Sequence, residues 1–422
     1  MNILSESKYK RYVLAGIFLL ALATSIGLGL AVRSLLRSES KPAAHTTIYY
    51  RDGHTVLWQT GQGMGKNTAF ITFAIDQLRD KYGQDYQSKG TWKVTSSLDK
   101  SLQDTALQQV ENEKQNRLRH KVENTALVAQ DVANGQIVSW VSDENQPSGT
   151  DTVRSKVEVG TLATPFAYIA FLEQNPAGAS AMFDDSQGPL PGYLCNNKAR
   201  PADGGNCLQN FDYRYLGQLT LSQALGGLRN VAAVRTATQI GLSNVHKIAS
   251  RMGSDSQCYQ DEALSETATC YESSIFGAGM YATPYRLVEA YSTLANHGSR
   301  VPQTALIKAS LNNKTLYEWD SQKEQVIKPE TARTITTVLS NPEATPLRKE
   351  RWPVLSLDTA QRAALAPGFS SDGRVVSVVE FSDRYAVGVW SYSPFELAGG
   401  AMPNVALKQA SNWLSAAHSG HN

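Results

Sequence analysis

Val159-Gly160-Thr161-Leu162-Ala163-Thr164-Pro165-Phe166 is the stretch that decides how this 422-residue chain is read. It opens an apolar run whose pattern predicts a helix over 161–174. Two residues three apart on a helix face the same side, and Thr161 and Thr164 are so placed. A hydroxyl is a poor nucleophile at its own pKa and needs an adjacent base. Thr164 cannot accept a proton as a neutral lysine amine would, and losing a positioned base typically costs about 10²–10⁴ in rate. The stretch thus offers two hydroxyls on one side of a helix and no basic group beside them.

Upstream, residues 48–57 read as a strand, a turn at Asp52-Gly53 and a second strand. Residues 61–66, GQGMGK, fit neither phosphate-loop spacing and are expected to form a turn. Apolar spacing predicts a helix over 68–82 that stops at Gly83, a strand at 92–99 and a helix over about 101–120. Ala126 to Val141 reads as a hairpin around Asn134-Gly135, a turn in which both central residues need positive φ. Downstream, helical patterns cover 218–252 and 284–297, and strands are expected at 302–309, 374–381 and 385–391.

Several colinear segments resemble the transpeptidase domain of class A penicillin-binding proteins. Gly160, Pro165 and Phe166 match the frame of that family's Pro-Gly-Ser-x-x-Lys-Pro-Phe motif. Lys93 to Asp99 resembles its entry strand, and Ala126 to Ile137 its first hairpin. Asn210-Phe211-Asp212 with Leu219 to Leu225, and Phe276 to Gly279 with Thr283-Pro284, resemble two further conserved runs. The resemblance implies an α+β (α/β) fold: a central antiparallel sheet flanked by helices, plus an all-helical subdomain. The interval before the entry strand resembles the family's linker, with no room for a glycosyltransferase domain.

Such enzymes use Ser-x-x-Lys, Ser-x-Asn and Lys-Thr/Ser-Gly. On that resemblance, Thr161 stands at the serine and Thr164 at the lysine. Leu228-Arg229-Asn230 replaces Ser-x-Asn: Leu228 removes a hydroxyl, while the Asn230 amide either binds a peptide carbonyl or holds backbone. Ala366-Pro367-Gly368 replaces Lys-Thr-Gly; the cation is gone, and Pro367 suits a sheet edge or break better than a peptide-pairing strand. Displaced Ser-x-x-Lys matches, such as Ser97 with Lys100, fall far along the chain from these elements. Asp184-Asp185 is expected to be structural, as are His246 and His297, and Trp92, Trp140, Trp352 and Trp390 are expected in core or cleft wall.

Tyr12 to Val32 carries no charged side chain and is long enough to cross a bilayer. Lys8, Lys10 and Arg11 before it favour a cytoplasmic N-terminus, though Arg33 and Arg37 follow. The run exceeds a usual signal-peptide core, so an uncleaved single-pass anchor is expected. The organisation read is a cytoplasmic tail at 1–11, a transmembrane helix at 12–32, stem and linker at 33–90, a transpeptidase-like domain at 91–415 and a tail at 416–422. Four cysteines suit two local disulfides in an oxidising compartment, Cys195 with Cys207 and Cys258 with Cys270. The competing zinc site lacks CxxC spacing and has no histidine inside either loop. A net charge of +2 gives no electrostatic case for nucleic acid.

These readings predict no cofactor, no metal and no intact catalytic set. The expected function is a membrane-anchored, extracytoplasmic, non-catalytic scaffold or regulator of peptidoglycan (cell wall) synthesis, partnered by cell-wall synthesis proteins. Two alternatives stand beside it: an atypical D,D-transpeptidase using Thr161, with Lys156 as base, and a module that binds the peptidoglycan stem peptide without chemistry.

Overall fold

A computed structural model of the chain describes residues 44–142, 150–175, 178–196, 198, 203–260, 263–265, 271–341, 363–395 and 402–420. The expected segment 12–32 lies outside these residues. No helix among the described residues is long and apolar enough to cross a membrane.

The main sheet has five antiparallel strands in the order Ala364–Phe369, Val375–Phe381, Tyr385–Tyr392, Asn124–Asp131, Ile137–Ser142. Val375–Phe381 is buried at every position, which requires cover on both faces. Strand pleating divides the side chains between two apolar clusters: Ala126 and Val128 join one, Leu127 and Ala129 the other. Helix Pro284–Ala295 packs on one face. The C-terminal helix Met402–Ser419 and helix Lys100–Asn112 pack on the opposite face. There Trp413 Nε1 donates to Leu102 O and Ser139 Oγ, both at 3.1 Å. The C-terminal helix buries Ala417, so packed chain continues past 415.

A second five-stranded sheet joins the two strands before residue 60 to strands at 91–96, 306–311 and 314–318. His45–Tyr49 pairs antiparallel with Val56–Gln59 and parallel with Thr91–Ser96. Parallel neighbours need a crossover. Helix Thr68–Tyr82 supplies it, burying Phe70, Ile71, Phe73, Ala74, Ile75 and Leu78.

Helix Thr164–Gln174 is the axis of the helical half. Thr164 through Leu172 are all buried, as expected for a helix that is apolar all round. Helices Asn230–Ile240, Leu242–Met252 and Pro329–Ser340 surround it.

Three local expectations are corrected. The hairpin at 124–142 is present, but Gly135 has φ +71° and Asn134 has no positive φ, so its loop is wider than a two-residue turn. Gly135 is required for a different reason: a Cβ there would lie 2.2 Å from Pro302 O. The helix expected over 101–120 breaks at Glu113 into Lys100–Asn112 and Lys114–Arg119. The run 218–252 divides into three helices, interrupted at 227–229 and at Gly241.

Trp92, Trp140 and Trp390 are buried in the core, whereas Trp352 lies outside the described residues.

Candidate functional site

A short helical turn, Gly160–Ala163, carries Thr161 into the central helix. Three backbone segments converge there. Gly160 has φ +62°, and a Cβ on it would lie 2.3 Å from Phe369 O. A Cβ on Gly277 would lie 2.1 Å from Gly160 N. Only residues without a Cβ permit this approach.

The approach determines what the Thr161 hydroxyl does. Thr161 is 3% exposed; its Oγ1 donates to Pro367 O at 2.8 Å and accepts from Phe369 N–H at 3.2 Å. A hydroxyl has one proton to donate, and here a backbone carbonyl takes it. Thr164 Oγ1 donates to Ile275 O at 3.2 Å. The two hydroxyls therefore do not form a relay, and among the described residues no amine is a partner of either. The lysine upstream is engaged elsewhere: Lys156 Nζ sits 2.9 Å from Asp255 Oδ2 and 2.5 Å from Asp255 O.

Ala366, Pro367 and Gly368 lie on the edge strand of the main sheet, opposite Val379, Val378 and Ser377. Proline is tolerated in a sheet where its missing N–H faces away from the neighbouring strand. Pro367 O and Phe369 N both point outward, and both are bonded to Thr161. The outer edge is thus occupied by the chain's own backbone and hydroxyl at the place where an added peptide strand would pair. A Cβ on Gly368 would meet Leu162 Cγ at 2.7 Å, so this side of the strand is also packed shut. Phe369 stacks edge-to-face with Phe211 at 5.9 Å, and Leu228 is buried in the same apolar cluster.

Leu228 has φ +52°, uncommon for a branched side chain and costing on the order of 1–2 kcal/mol. Its neighbour holds it there. Arg229, 2% exposed, donates from Nε and NH2 to Asp185 Oδ2 at 3.0 and 2.8 Å, and from NH1 to Asp212 Oδ1 at 3.0 Å. Asn210 Nδ2 bonds the other Asp185 oxygen at 2.9 Å, and Asn210 Oδ1 accepts from Val231 N–H. Asn230 Nδ2 donates to Gln209 O at 3.1 Å, so the surviving amide holds backbone. Asp185 is structural as expected, and Asp184 pairs with Arg235 at 3.4 Å. Arg229 was not singled out from sequence; no local spacing links it to an aspartate 44 residues away.

Cys195 and Cys207 form a disulfide that anchors the segment leading into Gln209 and Asn210. Cys258 is disulfide-bonded, while Cys270 lies outside the described residues. His246 Nε2 lies 3.4 Å from Ser274 Oγ, and burial holds its pKa below the usual value. Among the described residues, no group of three or more His, Cys, Asp or Glu side chains is placed to hold a metal ion.

The family model described as "Penicillin binding protein transpeptidase domain" matches residues 125–354, more than half of the chain. The chain belongs to the penicillin-binding protein transpeptidase family. Among curated relatives, Penicillin-binding protein 4 of Bacillus subtilis is 25% identical over 231 residues, covering 53% of this chain and 32% of that protein. Penicillin-binding protein 1A of Neisseria flavescens is 30% identical over 178 residues, covering 42% of this chain and 20% of that protein. The match therefore spans a third or less of either relative's length. Among solved structures, penicillin-binding protein PonA1 from Mycobacterium tuberculosis aligns with TM-score 0.67 and 17% identity over 83% of this chain and 91% of that one. Penicillin-Binding Protein 1A from Haemophilus influenzae aligns with TM-score 0.68 and 15% identity over 84% and 71%. At that identity the likeness shows the fold.

Proposed function

We propose that this chain is a non-catalytic, penicillin-binding-protein-like scaffold or regulator of peptidoglycan synthesis, anchored by residues 12–32 with its folded domain on the outer side of the cytoplasmic membrane. The observation that carries the reading is the double engagement of Thr161 Oγ1 by Pro367 O and Phe369 N–H. Acylation at that oxygen would require a base, and the hydroxyl's partners are a carbonyl and an amide N–H, neither of which accepts a proton at neutral pH. The family's fold is kept while the nucleophile, its base and the peptide-pairing edge are replaced by packing. Such a body retains surfaces for cell-wall synthesis proteins without transferring acyl groups itself.

The test is D-alanine release from a peptide ending in D-Ala-D-Ala, with the full chain and its Thr161→Ala variant side by side. The expected result is no release above background from either. Release by the unmodified chain that disappears in the variant would establish a working transpeptidase and contradict the proposal.

A further inference from the structure

A cavity of about 400 Å³ lies between two pairs of neighbouring strands, and it shares no lining residue with Thr161, Thr164, Leu228, Asn230 or Ala366 to Phe369. On one wall, Tyr392 and Asn124 are paired across adjacent strands of the main sheet. On the other, Tyr281 and Glu158 are paired across two short antiparallel strands. Each wall therefore offers a tyrosine beside a side-chain acceptor.

Among the described residues, Asn124 lacks a partner for its amide oxygen and Glu158 lacks a counter-charge. Asn124 Oδ1 is buried and has no hydrogen-bond partner among the described residues, an arrangement that calls for an explanation in a folded protein. Glu158 takes hydrogen bonds on Oε1 from Ser371 Oγ at 2.8 Å and Ser371 N–H at 3.3 Å and is also approached by the Gly279 N–H, yet it has no ion-pair partner among the described residues and has Asp372 as a neighbouring like charge. Burial accordingly raises its pKa. The two cations that line the cavity already have counter-charges: Lys156 is 2.9 Å from Asp255, and Arg374 is 3.6 Å from Asp372. Glu158 is the charge left over.

We infer that this cavity binds a small organic ammonium group, held by the Glu158 carboxylate and the Asn124 carbonyl between the rings of Tyr281 and Tyr392. An ammonium has three donors and no acceptor, which matches acceptors on both walls, and aromatic rings attract cations. A divalent metal fits poorly: calcium takes six to eight oxygen ligands, whereas this site offers one unpaired carboxylate and one amide oxygen. The volume is within the usual range for a small-molecule site. The chemistry is shared by two sources, a lysine-like side chain of a peptide and an amino sugar.

The experiment is NMR or calorimetric titration of the full chain with Nα-acetyl-lysine methylamide and with glucosamine, each beside its N-acetylated form. The expected result is millimolar or tighter binding of one free amine, weakened at least about tenfold by N-acetylation, because a charge-assisted hydrogen bond contributes roughly 1.5–3 kcal/mol. Preference for the lysine derivative assigns a peptide side chain, and preference for glucosamine an amino sugar. Glu158→Gln keeps an acceptor for Ser371 and is expected to weaken binding by a similar factor; Asn124→Ala provides an independent second variant. Absence of binding by both amines, equal binding of the acetylated forms, or unchanged affinity in Glu158→Gln would overturn the inference. None of these outcomes depends on whether Thr161 reacts.

Discussion

Arg229 NH2 lies 2.8 Å from Asp185 Oδ2, with the two side chains 2% and 0% exposed. This pair fixes the loop that places Leu228 and Asn230, and it joins segments distant in the chain. Removing one partner of a buried pair typically costs about 3–5 kcal/mol because the other charge stays buried alone. Arg229→Met is therefore expected to lower unfolding free energy by about that amount. Urea denaturation followed by circular dichroism measures it. A loss below about 1 kcal/mol would place the pair among ineffective contacts. Adding Asp185→Leu is expected to recover part of the loss, because it removes the orphaned carboxylate.

Glu380 gives a pH dependence with a definite sign. It is 2% exposed, accepts from Ser411 Oγ at 2.8 Å, and burial raises its pKa from 4.5 to about 7. The folded state therefore binds this proton more tightly than the unfolded state does. Its contribution to stability falls as pH rises from about 4.5 to about 7, amounting to roughly 3 kcal/mol across the window. Glu380→Gln is expected to gain on the unmodified protein by up to that amount at pH 8, with a much smaller difference at pH 4.5. Paired urea titrations at the two values decide it, and an equal difference at both would contradict the assignment.

The Cys195–Cys207 disulfide closes a loop with a sequence separation of 12. The chain-entropy estimate for loops near that length is about 3 kcal/mol. A Cys195→Ser/Cys207→Ser variant is expected to lose about 2–3 kcal/mol, read as a lower melting temperature under non-reducing conditions. The double variant leaves the bond at Cys258 intact, which a reductant would not. A melting temperature equal to that of the unmodified chain would show that the loop needs no staple.

Much of the fold was legible because it rests on local pattern. The strands at 375–381 and 385–392 are mostly apolar, broken by Ser377, Glu380 and Ser391, and the helix from 164 is mainly apolar as far as Leu172. The frame of the site was legible for a related reason: Gly160, Pro165 and Phe166 match the spacing of the family's motif around Thr161 and Thr164. What stayed hidden depends on contacts between distant segments. The φ of Leu228 follows from Arg229 reaching Asp185, and the closed edge follows from Gly160 meeting Phe369 while Gly277 packs against Gly160. At Asn134-Gly135 the local turn preference lost to Pro302, whose carbonyl approaches Gly135 and shapes a wider loop. Asn230 had two readings open in the sequence, and only the position of Gln209 O distinguishes them.

We propose that the Thr161 hydroxyl, donating to Pro367 O and accepting from Phe369 N–H, is not acylated. Intact-protein and peptide mass spectrometry after incubation with a penicillin tests it most directly. The expected result is an unchanged mass for the folded chain at saturating drug. A penicilloyl adduct mapped to Thr161, and lost in Thr161→Ala, would contradict it.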